Sequence, residues 1–161
     1  MAAIMLSLID VNGNYYEAEH NITGALEVPK RPSPLHVWLN GEWVVDLSAQ
    51  IEAARKVKLD IIVKERNVEC ESTISAHGRP WQADKRSTEL LNNAITMASV
   101  GGMLPPVWRD ANNSDMQITS LADLVAIATS IQQNVQLAYT RSWARKMVLQ
   151  QASSLEDIVS I

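Results

Sequence analysis

The chain has 161 residues, 47% hydrophobic and 20% charged, with a formal net charge of −4. That length suits one compact domain or two small ones, and the composition supports a buried core and excludes wholesale disorder. By region, residues 1–50 carry a net −4, 51–100 a net +1 and 101–161 a net −1; none is basic enough to follow a phosphate backbone, so nucleic-acid binding is not expected.

The N-terminus has no basic residue ahead of its short apolar run, which does not fit a secretory signal. No stretch reaches the roughly 20 apolar residues of a membrane span. The expectation is a protein made and folded in a reducing cytoplasm, with no membrane partner. Residues 4–9 suit a strand, Asn12-Gly13 a two-residue hairpin turn, and Tyr15, Tyr16 and Ala18 a returning strand. Three prolines between Pro29 and Pro34 predict an extended linker laid against a surface. His36–Leu39 and Glu42–Val45 then flank Asn40-Gly41 and predict a second hairpin. Isolated hairpins are marginal in water, so this one must pack on its own unit or on a partner.

Ser48 is expected to cap a helix over Ala49 to about Val68. Its positions 47, 51, 54, 58, 61, 65 and 68 form a stripe suited to a core or a short coiled coil. Ser72–Ala76 and Pro80–Gln82 predict a small hairpin around His77-Gly78-Arg79. Ser87 is expected to cap a helix that Gly101-Gly102 ends. Leu104–Asp110 reads as extended, Asn112–Asp115 as a turn, and Met116–Ile118 as short and extended. A long helix follows, capped by Thr119 or Ser120 and reaching about Gln151. Leu121, Leu124, Ala128, Ile131, Val135 and Ala138 form its apolar stripe, with Tyr139, Trp143 and Met147 on a neighbouring face. Ser153 and Glu156 have capping-box spacing for a last helical turn.

Catalytic and metal-ligating patterns are hard to find. Gly101-Gly102 is not followed by a Gly-Lys-Ser/Thr sequence, and there is no Gly-x-Ser-x-Gly or His-Glu-x-x-His motif. Cys70 is the single cysteine, which excludes an internal disulfide. It could complete a zinc site only with all three histidines, His20, His36 and His77, at spacings that fit no zinc signature. Asp110, Asn112, Asn113 and Asp115 lack the glycine and terminal glutamate of a calcium loop. No catalytic residue, metal or cofactor is therefore assigned, and the chain is not expected to be an enzyme. Five tryptophans and no phenylalanine put the aromatic packing on Trp38, Trp43, Trp81, Trp108 and Trp143.

Five segments also carry a family resemblance. They are Arg55-Lys56-Val57-Lys58, Gly78-Arg79-Pro80-Trp81-Gln82-Ala83-Asp84, Ser87 to Ile95, Trp108-Arg109-Asp110-Ala111-Asn112-Asn113, and the helix from Ala122 to Lys146. In this order, residues 55–161 resemble a C-terminal domain of tail-fibre and tail-fibre-assembly proteins of tailed bacteriophages. Pro29 to Asp46 is similar to the front half of some fibre-assembly proteins. The resemblance implies attachment to a phage tail-fibre protein, or chaperoning of its trimerisation, and a place in the virion tail. It supplies no catalytic residue.

The reading is thus an α+β fold. Residues 1–47 form a β-hairpin region with a Pro-rich linker, and residues 48–161 form an α-rich domain. The expected role is a structural or assembly component of a tail fibre, as a homo-oligomer or on a trimeric fibre. The alternative is a receptor-binding module for host attachment at the tail tip. A third class, an enzyme cleaving cell-wall polymer, would need paired carboxylates in a cleft. Trp38 and Trp43 are assigned to partner contact. Trp81, Leu91, Trp108 and Leu124 are assigned to the core, with about 3–5 kcal/mol expected for Trp108→Ala.

Overall fold

The computed structural model describes residues 5–161. It is an α+β fold, with small antiparallel strands and hairpins first and helices after them. The chain divides into two compact units, Met1–Ala54 and Arg55–Ile161. Sequence spacing places the boundary at 47/48, whereas the division falls within helix α1 (Leu47–Glu71).

In the first unit, β1 (Leu6–Ile9), β2 (Tyr15–Ala18) and β3 (Leu26–Glu27) pair antiparallel in the order β2-β1-β3. Ile4, expected at the start of the first strand, lies outside the described residues. Flanking strands cover β1, which is why Leu8 and Ile9 are buried. The two-residue β3 has no periodic signal in the sequence. Next, β4 (His36–Leu39) and β5 (Glu42–Val45) form a hairpin pairing Trp38 with Trp43. Its turn has positive φ at both Asn40 (52°) and Gly41 (91°), as a two-residue turn of this hand requires. Arg31 pins the Pro-rich segment by donating to the carbonyls of Pro34 and His36, each at 2.7 Å.

The Asn12-Gly13 turn differs from expectation. The loop is wider, running from Asp10 to Asn14: Gly13 donates to the Asp10 carbonyl, and Asp10 N–H donates to the Asn14 carbonyl, both at 3.0 Å. The Asp10 carboxylate also accepts the N–H of Asn12 at 2.8 Å and of Asn14 at 2.9 Å. The second unit repeats this loop at Asp110–Ser114. There Asn113 donates to the Asp110 carbonyl at 3.0 Å, while Asn112 and Ser114 donate to its carboxylate at 2.9 Å. An aspartate whose side chain holds its own turn is an Asx motif, and it outcompetes the two-residue alternative. Gly13 (φ 82°) and Asn113 (φ 60°) occupy equivalent left-handed positions. Asn113→Gly should therefore leave thermal stability intact, whereas Asn113→Val should lose roughly 1–2 kcal/mol in denaturant titration.

The second unit contains most of α1. The helix starts earlier than expected because Asp46, not Ser48, is its N-cap: the carboxylate accepts the Ala49 N–H at 3.0 Å. The hairpin of β6 (Ile74–Ala76) and β7 (Arg79–Trp81) turns at His77 (φ 55°) and Gly78 (φ 74°). Asp84, not Ser87, caps α2 (Lys85–Ser99); Ser87 sits in the first turn and donates both its N–H and its hydroxyl to Asp84. At the other end, Gly101 and Gly102 donate back to the carbonyls of Ala98 and Met97, closing a Schellman motif. A second hairpin, β8 (Val107–Arg109) with β9 (Asp115–Gln117), leads to α3 (Leu121–Gln151). Asp123 fixes the start of α3 by accepting from the N–H of Thr119 and Ser120. The last helix, α4 (Leu155–Ser160), is capped one residue later than expected, by Ser154 with Asp157 rather than Ser153 with Glu156.

Trp81, Ala83, Leu91, Ile118, Leu124, Ile127 and Ile131 form one buried cluster. Trp81, Leu91 and Leu124 are in it as expected. Trp108 packs against its rim and is half-buried. The α3 stripe differs too: Leu124, Ile127, Ile131, Ala138, Ser142 and Leu149 are buried, while Trp143 and Met147 are exposed. The reason is a change of partner along the helix, from α2 and the hairpins to α1. Beyond Ala138, α3 runs antiparallel to α1, with Arg141 paired to Glu69 and Arg145 to Glu65. Arg55 donates to the carbonyls of Leu149 and Ala152 at the end of α3. These pairs straddle Ile62, the one buried residue of α1 among the described residues. The buried line is thus displaced by one position from the expected stripe, and Ile61 and Val68 are left outside.

Ser142 is buried in this helical seam with no hydrogen-bond partner for its hydroxyl. An unsatisfied buried hydroxyl costs about 1–3 kcal/mol. Ser142→Ala should accordingly raise the midpoint of chemical unfolding.

Candidate functional site

In the first unit, the two tryptophans assigned to partner contact come together. Their ring centroids lie 5.2 Å apart, edge to face. They meet because directly opposed residues of an antiparallel pair point to the same face. Tyr15 joins them, 5.5 Å from Trp43 and again edge to face, and the Arg31 guanidinium lies 5.8 Å from the Tyr15 ring. The Trp43 indole N–H donates to the Pro29 carbonyl at 2.8 Å. Both tryptophans are half-buried, while Leu39 and Val45 of the same hairpin are exposed. The result is a partly buried aromatic cluster, held in place by the hairpin register and the Trp43–Pro29 hydrogen bond. Sequence reasoning missed Tyr15 and Arg31, since nothing local links them to a hairpin more than twenty residues away from Tyr15.

In the second unit, a cavity of about 250 Å³ opens beside the core. Leu90, Leu91, Ile127 and Ile131 form its apolar walls, and Trp81, Gln82, Trp108 and Arg109 come from the two hairpins. The hairpins are tied together at its edge. Arg79 donates to Asp110 at 3.0 Å, and the Ala111 N–H donates to the Pro80 carbonyl at 2.9 Å. Arg109 is held by Asp115 at 2.8 Å. The cavity can seat one large apolar side chain and is smaller than pockets that enclose drug-sized ligands.

The ionisable groups are structural in placement. The Asp110 carboxyl sits below the usual carboxylate range, chiefly because the Ser114 N–H stabilises its charged form, with Asn112 and Arg79 adding to it. Its oxygens are occupied by those donors. Asp84 is lowered by Ser87, Asp123 by Thr119 and Ser120, and Asp157 by Ser153 and Ser154. Burial pushes the Cys70 thiol up, which keeps it protonated and a poor nucleophile at neutral pH. Among the described residues no group of three or more His, Cys, Asp or Glu side chains is placed to hold a metal ion. No described helix is long and apolar enough to cross a membrane.

No curated protein and no solved structure matches the chain. One family model does, over residues 53–160, a span that takes in most of α1, both hairpins of the second unit and every later helix. Since that span is most of the 161 residues, the chain belongs to the family described as Domain of unknown function (DUF4376).

Proposed function

We propose that this protein is a structural or assembly component of a bacteriophage tail fibre, docking on the fibre or its tip. The observation that carries the reading is the ordered set of segments between Arg55 and Lys146 that resembles fibre-associated proteins. A second feature supports docking rather than chemistry: the Trp38–Trp43–Tyr15 cluster is a preorganised aromatic surface, and aromatic anchors on a fixed frame are what protein interfaces use for most of their binding energy.

The test is affinity purification of the tagged chain from infected cells, with quantitative mass spectrometry of purified particles alongside. Co-purification with the fibre protein is expected, and Trp38→Ala should weaken it without unfolding the chain. A fixed ratio to the fibre protein in particles assigns a virion component; presence in the lysate alone assigns a chaperone that leaves. Failure to capture the fibre protein, together with absence from particles, overturns the proposal. Capture of host cells by the isolated protein, without capture of fibre protein, would favour host adhesion instead.

A further inference from the structure

We propose that Asn40 is a site of spontaneous covalent modification. In the folded chain it converts to aspartate and isoaspartate well ahead of Asn12, and isoaspartate there undoes the Trp38–Trp43 pair. Asn-Gly is the sequence in which this reaction is easiest, because glycine has no side chain to hinder its own nitrogen, the nucleophile. The chain has two such sequences, Asn12-Gly13 and Asn40-Gly41, both exposed in turns of the first unit. Open space surrounds both glycines, with nothing within 4 Å of where a Cβ would stand. Sequence and exposure do not separate the two; hydrogen bonding does. At the first, the Gly13 N–H donates to the Asp10 carbonyl at 3.0 Å, and the Asn12 N–H donates to the Asp10 carboxylate at 2.8 Å. That loop must open before the Gly13 nitrogen can turn to the Asn12 side chain. At the second, neither the Gly41 N–H nor the Asn40 side-chain amide makes a hydrogen bond among the described residues. The turn sits at the tip of a two-stranded hairpin, closed by the Leu39–Glu42 pair, and such an element opens locally at low cost.

The Gly41 nitrogen attacks the carbonyl carbon of the Asn40 side chain. A new C–N bond forms, the bond to the side-chain nitrogen breaks, and ammonia leaves with the proton that Gly41 gives up. Water then opens the cyclic imide at either of its carbonyls. One opening gives aspartate. The other gives isoaspartate, in which the backbone runs through the former side chain and is one carbon longer. The net change is a water consumed and an ammonia released, with no oxidation or reduction. Either product adds a negative charge to residues 1–50, which already carry a net −4. Only isoaspartate lengthens the turn. A two-residue turn fixes the register of its strands, and Trp38 and Trp43 are the second pair from it, their ring centroids 5.2 Å apart. The extra carbon breaks that register and with it the ring contact. The reaction needs no fibre protein and stands apart from the proposed docking role.

Peptide mass spectrometry of the full chain, aged in mildly alkaline buffer, tests it. Conversion at Asn40 should outrun conversion at Asn12 by about tenfold, the protection that one or two hydrogen bonds give. In urea, where both turns are open, the two rates should be alike. Asp10→Ala, which removes the carboxylate that holds the first loop, should speed Asn12 and leave Asn40 unchanged. The isoaspartate fraction should lose the near-ultraviolet circular dichroism of the coupled Trp38 and Trp43 rings. Asn40→Asp adds the charge without the extra carbon and should keep that signal, since Asp-Gly suits the same turn. Equal rates in the folded chain, or Asn12 ahead of Asn40, overturn the proposal. So does an isoaspartate fraction whose tryptophan signal is intact.

Discussion

Trp81→Ala is expected to destabilise the Arg55–Ile161 unit by about 3–5 kcal/mol, the usual loss for a large aromatic truncated in a core. Trp81 lies at the centre of the buried cluster, 1% exposed, and closes the β6–β7 hairpin by donating its indole N–H to the Ala76 carbonyl at 2.9 Å. Truncation leaves a cavity between Leu91, Leu124 and Ile127 and removes a buried hydrogen bond at once. Trp108→Ala, expected from sequence to cost as much, should cost only about 1–2 kcal/mol, because its ring packs on the rim of the core and is only partly buried. Chemical unfolding of the two variants side by side measures the difference. Equal losses would mean that the two rings carry the core jointly.

Ile62→Ala is the second large effect, expected at about 2–4 kcal/mol. Ile62 is 1% exposed and is the single buried anchor of α1 against α3. The two ion pairs that follow it along α1, at Glu65 and Glu69, are solvent-exposed, and exposed pairs contribute at most about 1 kcal/mol each. They fix register rather than hold the helices together. Hydrogen exchange should therefore rise first in α1 between Arg55 and Glu71, ahead of α2 and the hairpins. Uniform acceleration across the unit would show instead that the helical pair and the core open as one body.

Much of this fold is legible in the sequence because local chemistry specifies it. Asn40-Gly41 and His77-Gly78 both form hairpin turns with two positive φ angles, and the long helix ends at Gln151 as its pattern indicates. The misread helix caps share one cause. At three of the four helix starts the spacing points to one serine where an aspartate, or the next serine, is the cap, Asp46 for Ser48, Asp84 for Ser87 and Ser154 for Ser153, whereas α3 is capped by Ser120 as expected. These residues can all cap, and which one does depends on the direction from which the chain enters the helix. The face of α1 was misplaced by one residue for a different reason. Its partner segment lies some eighty residues away, and the pairs Glu65–Arg145 and Glu69–Arg141 that set the face leave no trace in local periodicity. The Trp38–Trp43 cluster was legible as a pair across a turn, but its third ring, Tyr15, was not.

The aspartates that shape the loops and helix starts give the molecule a weak side. Asp10, Asp84, Asp110, Asp123 and Asp157 each hold a joint of the chain by accepting backbone N–H groups as anions, and each has its carboxyl lowered by doing so. A carboxylate with a lowered folded pKa stabilises above its unfolded value, about 3.9 for aspartate, and that contribution is lost as the pH falls through the folded value. Because the same chemistry recurs in both units, acid should loosen the joints of both in one window below about pH 4, while mild alkali leaves them intact. The melting temperature followed from pH 7 to pH 3 should show this one-sided tolerance.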